Sequence, residues 1–183
     1  MTTSTRPPSV QQRLLDTADA MFYAEGIRAV AIDRVIAESG VSKSTMYVHF
    51  RTKEDLVQAY LRRRTDNWRA RVEAEVAHRA TDPVEQALTV FDLFDEMFHT
   101  PGYRGCPFVN AAAEYPHHDG IRETIAYHRD WINGLFPKIL GKRCDPELAA
   151  SLVQLLDGAI AAAHLDGDLD SAQRARRTAE RIL

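Results

Sequence analysis

Helix start and stop signals recur along the whole chain, and they constrain its fold more than any other feature. A side chain that can accept a backbone N–H precedes most of the apolar segments with helical spacing. These caps are Ser9 with Gln12, Thr52 with Asp55, Asp82 before Pro83, Asp145 before Pro146, and Asp170 with Gln173. No segment sustains the alternation of apolar and polar residues that is typical of a strand. The sequence therefore predicts an all-α protein of about nine helices.

The first 52 residues predict a compact unit of three short helices. The first helix ends at Gly26, since glycine readily adopts the backbone angles found at helix ends. The second helix covers residues 32–39 and ends at Gly40, and Ser42 caps a third helix that closes at Phe50. A second helix joined to a third by a tight turn is typical of a helix-turn-helix unit. We therefore predict a first domain over residues 1–52 and a second over residues 53–183.

The third predicted helix, "SKSTMYVHF", has one apolar side and one polar side. Met46 and Phe50 share a face with Val41, and this face can pack on the first two helices. The opposite side carries hydroxyl groups and a cation at the leading end of the helix. In a helix-turn-helix unit this end lies closest to base edges in the major groove. The pattern predicts DNA binding, although a small helix with a solvated face has a similar composition.

The polar residues of this segment suit different parts of a DNA duplex. Lys43, Ser44 and Thr45 can reach base edges from the start of the helix. Tyr47 and His49 are better suited to phosphate oxygens, which position a helix without reading sequence. The next helix begins at Lys53, where free amides and a cation favour a phosphate. The predicted DNA-binding residues are Ser42, Lys43, Ser44, Thr45, Tyr47, His49 and Lys53.

The segment "AIDRVIAESGVSKSTMYVHFRTKEDLVQAYL" resembles the DNA-binding domain of the TetR family of bacterial transcriptional repressors. Within it, "GVSKSTMYVHF" and "KEDL" are similar to the family's recognition helix and the start of its fourth helix. The resemblance implies a homodimer whose two recognition helices enter successive major grooves of a palindromic operator. It also implies that the family's DNA contacts fall on the residues from Lys43 to Lys53 named above.

Two residues depart from the family pattern. Ala31 stands where a threonine commonly caps the second helix, and alanine cannot cap, which costs about 1 kcal/mol. Asp33 in the first turn partly offsets this cost through its interaction with the helix dipole. Val48 stands where bulkier aromatic residues are common, so we expect a narrower footprint on DNA.

The remaining 131 residues, 53–183, are more than DNA binding requires. The resemblance implies that this part dimerises and holds a small-molecule effector. We predict a long fourth helix with an exposed, charged second half, and a later helix that Pro137 ends or kinks. The alanine-rich helix after Asp145, with Gly158, allows close helix approach and predicts a four-helix dimer interface together with the last helix. Tight packing within one chain is the alternative for these small residues.

Aromatic residues gather in the middle of the chain, where they predict either an apolar effector cavity or an ordinary core. Three polar side chains could orient an effector there. The candidate effector-binding residues are Phe91, Phe94, Phe98, Cys106, Phe108, Asn110, Tyr127, His128 and Trp131.

Charge is distributed unevenly along the chain. Residues 1–64 carry ten Lys/Arg against seven Asp/Glu, and residues 65–183 carry thirteen against nineteen. A basic front favours a nucleic-acid partner, although solvated helix faces produce similar splits. The start of the chain, "MTTSTRPPSV", has no apolar core of the kind a signal peptide needs, and no apolar run reaches membrane-spanning length. We expect a cytoplasmic protein with two reduced cysteines and no membrane partner.

Other function classes leave fewer signals in the sequence. We find no glycine-rich phosphate loop, no catalytic Ser/His/Asp arrangement and no spaced metal ligands, so we expect no enzyme activity, metal or other cofactor. His117 and His118 follow Glu114, but neighbouring histidines in a turn point apart and predict a solvated turn. The alternatives are a helical enzyme or metal-dependent binding protein, or a protein-interaction module. By resemblance, we expect the effector to release DNA.

Overall fold

The structure is a computed structural model that describes residues 8–183. Residues 1–7, which belong to the predicted first domain and to the N-terminal segment discussed above, lie outside the described residues. Within residues 8–183 it contains nine α-helices, one 3₁₀ turn and no strand, which confirms the all-α prediction. The helices are α1 (Val10–Glu25), α2 (Ile32–Ser39), α3 (Lys43–His49), α4 (Lys53–Arg79), α5 (Pro83–Phe98), α6 (Pro107–Glu114), α7 (Asp119–Leu140), α8 (Pro146–Leu165) and α9 (Ser171–Ile182).

The predicted capping boxes hold the starts of α1 and α4. The backbone N–H of Gln12 donates to Ser9 Oγ at 3.2 Å, and the N–H of Ser9 donates to Gln12 Oε1 at 2.8 Å. Thr52 and Asp55 make the same reciprocal pair, with both bonds at 3.0 Å. Each box satisfies two N–H groups that a helix start leaves unpaired. Ala31 makes no side-chain cap on α2, as its chemistry predicts.

Two local signals at helix ends act differently from the prediction. Helix α7 continues past Pro137 to Leu140, so the proline does not end this helix. Phe136 and Leu140 are buried on either side of the proline, and their packing keeps this last turn helical. Asp170 precedes α9 but makes no side-chain cap, because the chain there is not in the extended conformation that capping requires.

The helices enclose two hydrophobic clusters. The first is built from α1, α2, α3, the first half of α4, α6 and the start of α7. The second is built from the second half of α4 together with α5, α7, α8 and α9. Helix α4 therefore passes from one cluster to the other, and it connects the N-terminal three-helix head to the rest of the chain. The domain boundary after residue 52 stays a prediction.

The charged second half of α4 is not simply exposed, which corrects the prediction for this segment. Thr65 and Val72 are fully buried, Val76 is nearly so, and Trp68 packs partly against the second cluster. These positions recur at intervals of three and four residues, so they form one narrow stripe on the helix. The arginines and glutamates lie on both sides of that stripe.

Helix α8 is the most apolar long helix of residues 8–183. By length and composition alone it could cross a membrane, as the core helix of a soluble protein also can, and 33% of its apolar stretch is buried within the chain. Its inner side includes Leu152, Val153 and Leu156, while Gly158 and Leu165 lie on the exposed side. The helix therefore presents an uncovered face of largely small or apolar residues.

Candidate nucleic-acid interface and effector cavity

Helix α3 is anchored by its apolar side, as the sequence predicts. Met46 is fully buried, and Val41 and Phe50 are 7% and 5% exposed. The other side of the helix faces solvent, with Tyr47 41% exposed and Val48 81% exposed. The helix is thus held firmly while its polar face stays free for a partner.

Three hydroxyl groups cluster at the start of α3. Ser42 Oγ accepts the backbone N–H of Thr45 at 3.1 Å and caps the helix. The same oxygen lies 3.0 Å from Ser44 Oγ and 2.7 Å from Thr45 Oγ1. Because Ser42 is already engaged as the cap, Ser44 and Thr45 have more capacity left for a partner than Ser42 has.

Lys43 is exposed beside this cluster and forms an ion pair with α2. Its Nζ lies 2.8 Å from Asp33 Oδ1, and this hydrogen bond raises the pKa of the Lys43 ammonium. Both side chains are more than half exposed. An exposed pair of this kind is weak, so a phosphate or base acceptor can replace the carboxylate at small cost.

Lys53 is oriented differently from the other predicted residues. Its Nζ donates to the backbone carbonyl of Ile27 at 2.6 Å and lies 5.8 Å from the centre of the Phe22 ring. Partial burial lowers the pKa of this ammonium. The exposed cation nearest in sequence is Arg51, between α3 and α4, which was not among the predicted DNA-binding residues. Its position directly after the helix that ends at His49 was the available signal.

A cavity of about 760 Å³ lies between α4, α5, α6, α7 and α8. Five of the nine predicted effector-binding residues line it, namely Phe94, Cys106, Phe108, Asn110 and His128. Several further lining residues were not predicted, among them Trp68, Met97, Ile160 and four arginines. Trp68 was detectable, because it lies on the buried stripe of α4.

The other four predicted residues lie outside the cavity lining. Phe91 is fully buried and packs on Phe136 with 5.9 Å between ring centres, and Phe98 packs against Phe94 and Tyr103. The hydroxyl of Tyr127 donates to Asp66 at 3.0 Å on the surface, and Trp131 packs on the second cluster. Ligand contact by any of the nine residues stays a prediction.

His128 and Phe108 form a parallel aromatic stack in the cavity wall. Their ring centres are 3.6 Å apart and their planes differ by 8°. Burial lowers the pKa of His128 to about 3, and the charge of the neighbouring Arg129 acts in the same direction. The imidazole is therefore neutral at pH 7, with one nitrogen protonated and one free to accept a hydrogen bond.

Every arginine in the cavity wall is paired with a carboxylate on another helix. The shortest N–O distances in these pairs lie between 2.5 and 2.8 Å. The pairs are Arg63 with Asp16, Arg64 with Asp19, Arg71 with Glu96 and Arg129 with Asp157. The wall is thus rich in charged groups, but these groups neutralise one another.

Helix α6 contacts both the cavity and the N-terminal head. One side of it contributes Phe108 to the cavity wall. At its end, the Glu114 carboxylate accepts the backbone N–H of Ile27 at 3.0 Å and that of Arg28 at 2.5 Å. A change in the position of α6 would therefore act directly on the loop between α1 and α2.

A second contact joins the loop before α6 to the head. The hydroxyl of Tyr23, on α1, accepts the backbone N–H of Arg104 at 2.8 Å and donates to the carbonyl of Gly105 at 3.0 Å. Both ends of the α6 segment are thus hydrogen-bonded to α1 or to the loop that follows it.

The histidine pair near Glu114 has a structural role in part. His118 caps α7, with its Nδ1 accepting the N–H of Ile121 at 3.3 Å, so α7 begins inside the segment that was predicted to be a turn. Glu114 is already bonded to the head. Among residues 8–183 no group of three or more His, Cys, Asp or Glu side chains could hold a metal ion. Cys106 and Cys144 are free thiols.

Sequence and structure comparisons identify relatives of this arrangement. The family model described as "Bacterial regulatory proteins, tetR family" matches residues 14–60, which cover α2, α3 and parts of α1 and α4. The crystal structure of SCO4454, a TetR-family transcriptional regulator from Streptomyces coelicolor, is 35% identical, with 93% of this chain and 96% of that chain aligned and a TM-score of 0.79. The reduced form of Escherichia coli NemR shares the fold at 19% identity, with a TM-score of 0.84 and 94% and 95% of the two chains covered.

Two curated relatives align over part of their length. The transcriptional repressor KstR2 of Mycolicibacterium smegmatis is 29% identical over 89 residues, which are 49% of this chain and 43% of KstR2. The transcriptional activator FasR of the same species is 36% identical over 95 residues, which are 50% of this chain and 42% of FasR. The aligned part of this chain thus spans less than half the length of either relative.

The three-helix head, the connecting helix α4 and the helices around the cavity form the architecture of a helix-turn-helix regulator, in which a DNA-binding head is joined to a larger helical part. Together with the identity to SCO4454 over almost the whole chain, they show that the chain belongs to the TetR family of transcriptional regulators.

Proposed function

We propose that the protein is a transcriptional repressor that binds a palindromic operator as a homodimer and releases it when an effector fills the cavity. The observation that carries the DNA-binding role is α3, whose apolar side is buried while its leading edge of Lys43, Ser44 and Thr45 is presented to solvent. Base edges are within reach of such a helix in the major groove. Tyr47, His49 and Arg51 extend the same surface and suit phosphate oxygens.

Lys53 belongs to this proposal in a modified role. Its ammonium already donates one hydrogen bond to Ile27, which leaves two further donors. We propose that a phosphate at the start of α4 is bound by backbone amides and by Lys53 only after a small rotation of that side chain. Ser42 supports the surface chiefly as the cap of α3.

The exposed face of α8 supports the homodimer. One third of the apolar stretch of α8 is buried within its own chain, and burial of its exposed side against a partner would stabilise the helix. Gly158 lies on the exposed side, so two copies of α8 can approach closely there, and α9 packs alongside α8 within each chain. Two-fold symmetry also matches the symmetry of a palindromic operator.

The cavity and its contacts support control by a small molecule. Its volume falls in the range of ligand sites, and its wall combines apolar and aromatic side chains with charged groups that are paired with one another. Helix α6 joins this wall to the head through Glu114, so an effector that displaces α6 would shift the head. An effector shifts the population toward the state that binds it better, and we propose that this state is the one with low DNA affinity.

The relatives support the class of protein but not the sign of regulation. KstR2 is named as a repressor and FasR as an activator, so names alone support either sign. We propose repression relieved by the effector, because this mechanism requires only that the conformation that binds the effector best differs from the conformation that binds DNA best. We propose a regulator acting in the cytoplasm and no catalytic activity, since the similar proteins carry regulator names.

The first experiment tests DNA binding on the duplex upstream of the protein's own gene. Fluorescence anisotropy is expected to give a Kd on the order of 10⁻⁸ M at about 150 mM salt, against much weaker binding to a scrambled duplex. Lys43→Ala and Tyr47→Ala are each expected to weaken operator binding by about tenfold to a hundredfold, because each removes a polar contact to the duplex.

Two matched variants serve as controls for these changes. Lys142→Ala removes the same charge from an exposed turn after α7 and should leave operator binding within about twofold. Tyr47→Phe removes only the hydroxyl group and should reproduce most of the Tyr47→Ala effect. The DNA-binding role of α3 would be refuted if all four variants bound the operator as tightly as the parent protein does. It would also be refuted if the parent protein bound neither duplex at low salt.

The dimer proposal is tested at two helical glycines that have the same free space around them within one chain. Gly134 in α7 and Gly158 in α8 are both helical, and a Cβ added at either meets no atom within 4 Å. Gly158→Leu is expected to weaken dimerisation by roughly a hundredfold, because overpacking costs about 1–3 kcal/mol at each of two symmetric copies. Sedimentation velocity over a concentration series measures this change.

Gly134→Leu is the control for the dimer experiment and should keep the parent's monomer–dimer equilibrium. If Gly158→Leu remained as dimeric as Gly134→Leu, the face of α8 would not be the interface.

A further inference from the structure

We propose that the cavity binds an uncharged, flat aromatic effector that carries a hydroxyl group, with its ring beside the Phe108–His128 stack and its hydroxyl donating a hydrogen bond to Nε2 of His128. This inference rests on the proposed effector role of the cavity and specifies the chemical class of the effector. It assigns His128 as the residue that determines specificity.

The hydrogen bonds of Thr65 determine which nitrogen of His128 is protonated. Thr65 Oγ1 donates to the carbonyl of Leu61 at 3.2 Å and lies 3.3 Å from His128 Nδ1. Because the Thr65 proton is directed at Leu61, the remaining role for Thr65 Oγ1 is to accept from His128 Nδ1–H. A neutral imidazole has one proton, so Nε2 is left as an acceptor.

The position of the ring directs this acceptor toward the cavity. His128 lines the cavity, whereas Thr65, which binds the Nδ1 edge, does not. The His128 side chain is 7% exposed, and within residues 8–183 the only hydrogen bond of its ring is the one to Thr65. Nε2 is therefore left as an open acceptor on a ring that lines the cavity, and a hydroxyl on the effector is a donor that suits it.

The neighbouring side chains explain why a flat ring fits. Phe108 and His128 lie parallel, and Trp68 meets Phe94 edge to face with 5.3 Å between ring centres and 81° between planes. All four residues line the cavity. Aromatic surfaces in both orientations favour an aromatic ligand through stacking and edge contacts.

The ion pairs in the wall disfavour a charged effector. An anion would have to draw Arg64 from Asp19, and this partly buried carboxylate would then lose its partner. A cation would face four arginines whose carboxylates are already engaged. An uncharged ligand leaves all four pairs intact.

The test uses three biphenyl probes that differ at one position and the full-length protein. Isothermal titration is expected to show that biphenyl-4-ol binds at least about tenfold more tightly than 4-methoxybiphenyl, which keeps the oxygen but has no proton to donate. Biphenyl-4-carboxylate is expected to bind most weakly, because it is an anion without a donor.

The variant His128→Phe keeps an aromatic ring on Phe108 and removes the acceptor nitrogen. Its affinity for biphenyl-4-ol should fall by about tenfold, to the level of 4-methoxybiphenyl, while the methoxy probe changes by no more than about twofold. The control variant His117→Phe makes the same replacement at an exposed residue outside the cavity lining and should bind all three probes as the parent does. If His128→Phe does not fold, the relative affinities of the parent protein for the three probes still test the ligand class.

Three results would overturn the inference: equal affinities for biphenyl-4-ol and 4-methoxybiphenyl, tightest binding of the carboxylate, or no binding of any probe up to its solubility limit. DNA binding by the parent protein is measured separately by anisotropy. Probe binding without operator binding would refute the proposed repressor role and leave the ligand class intact. Operator binding without probe binding would refute the ligand class and leave the DNA-binding role intact.

Discussion

Raising the salt concentration from about 50 mM to about 200 mM is expected to weaken operator binding by roughly 10³-fold or more. The two heads of a dimer would each bring Tyr47, His49, Arg51 and the start of α4 to the phosphate backbone, and the charge of Lys43 into the adjacent major groove. Contacts of this kind release counterions from DNA, and affinity falls with every contact as salt rises. The acidic balance of residues 65–183 provides no compensating attraction to DNA.

Anisotropy titrations at four or more salt concentrations measure this effect as a slope of log affinity against log salt. Lys43→Ala removes one cation from each head, so it should reduce the steepness of this slope by about 1 per head. Lys142→Ala should leave the slope unchanged. A loss of less than about tenfold over the whole range would mean that few phosphates are bound. In that case the surface built around α3 would not be the DNA-binding surface.

Phe136→Ala is expected to lower the free energy of unfolding by about 3–5 kcal/mol, the largest stability effect that we predict for one side chain. Phe136 is fully buried in the second cluster, and its ring stacks on Phe91 at 5.9 Å with 28° between planes. Its removal leaves a cavity that rigid neighbouring helices cannot close. Urea denaturation at fixed protein concentration measures the change, because a dimer's stability depends on concentration.

Val48→Ala is the control for this measurement. Val48 is 81% exposed, so its truncation should change the unfolding free energy by no more than about 0.5 kcal/mol. A loss below about 1 kcal/mol for Phe136→Ala would show that the second cluster is less tightly packed than its geometry indicates.

Local chemistry was sufficient to predict the three-helix head from the sequence. Residues 32–39 form α2 and Ser42 caps α3, both as predicted, because caps and glycines act within a few residues along the chain. The buried side of α3 followed from spacing alone. The DNA contacts of its polar edge stay a prediction.

Long-range packing overrode local chemistry at two helix boundaries. Pro137 removes a backbone donor, but the burial of Phe136 and Leu140 outweighs this local cost. The Gln173 side chain, expected to complete a capping box with Asp170, instead donates to Asp92 at 3.1 Å on α5. Such partners are distant in sequence, so no local pattern could identify them.

The sequence by itself thus determined the all-α class, the head and the polar edge of α3, because these depend on interactions between residues close together in the chain. The tertiary structure alone decided which aromatic residues line the cavity, how the arginines of α4 are neutralised, and how Glu114 joins α6 to the head. It also directed Lys53 toward Ile27. These features arise where segments distant in the sequence meet, and the sequence of any one helix does not specify its neighbours.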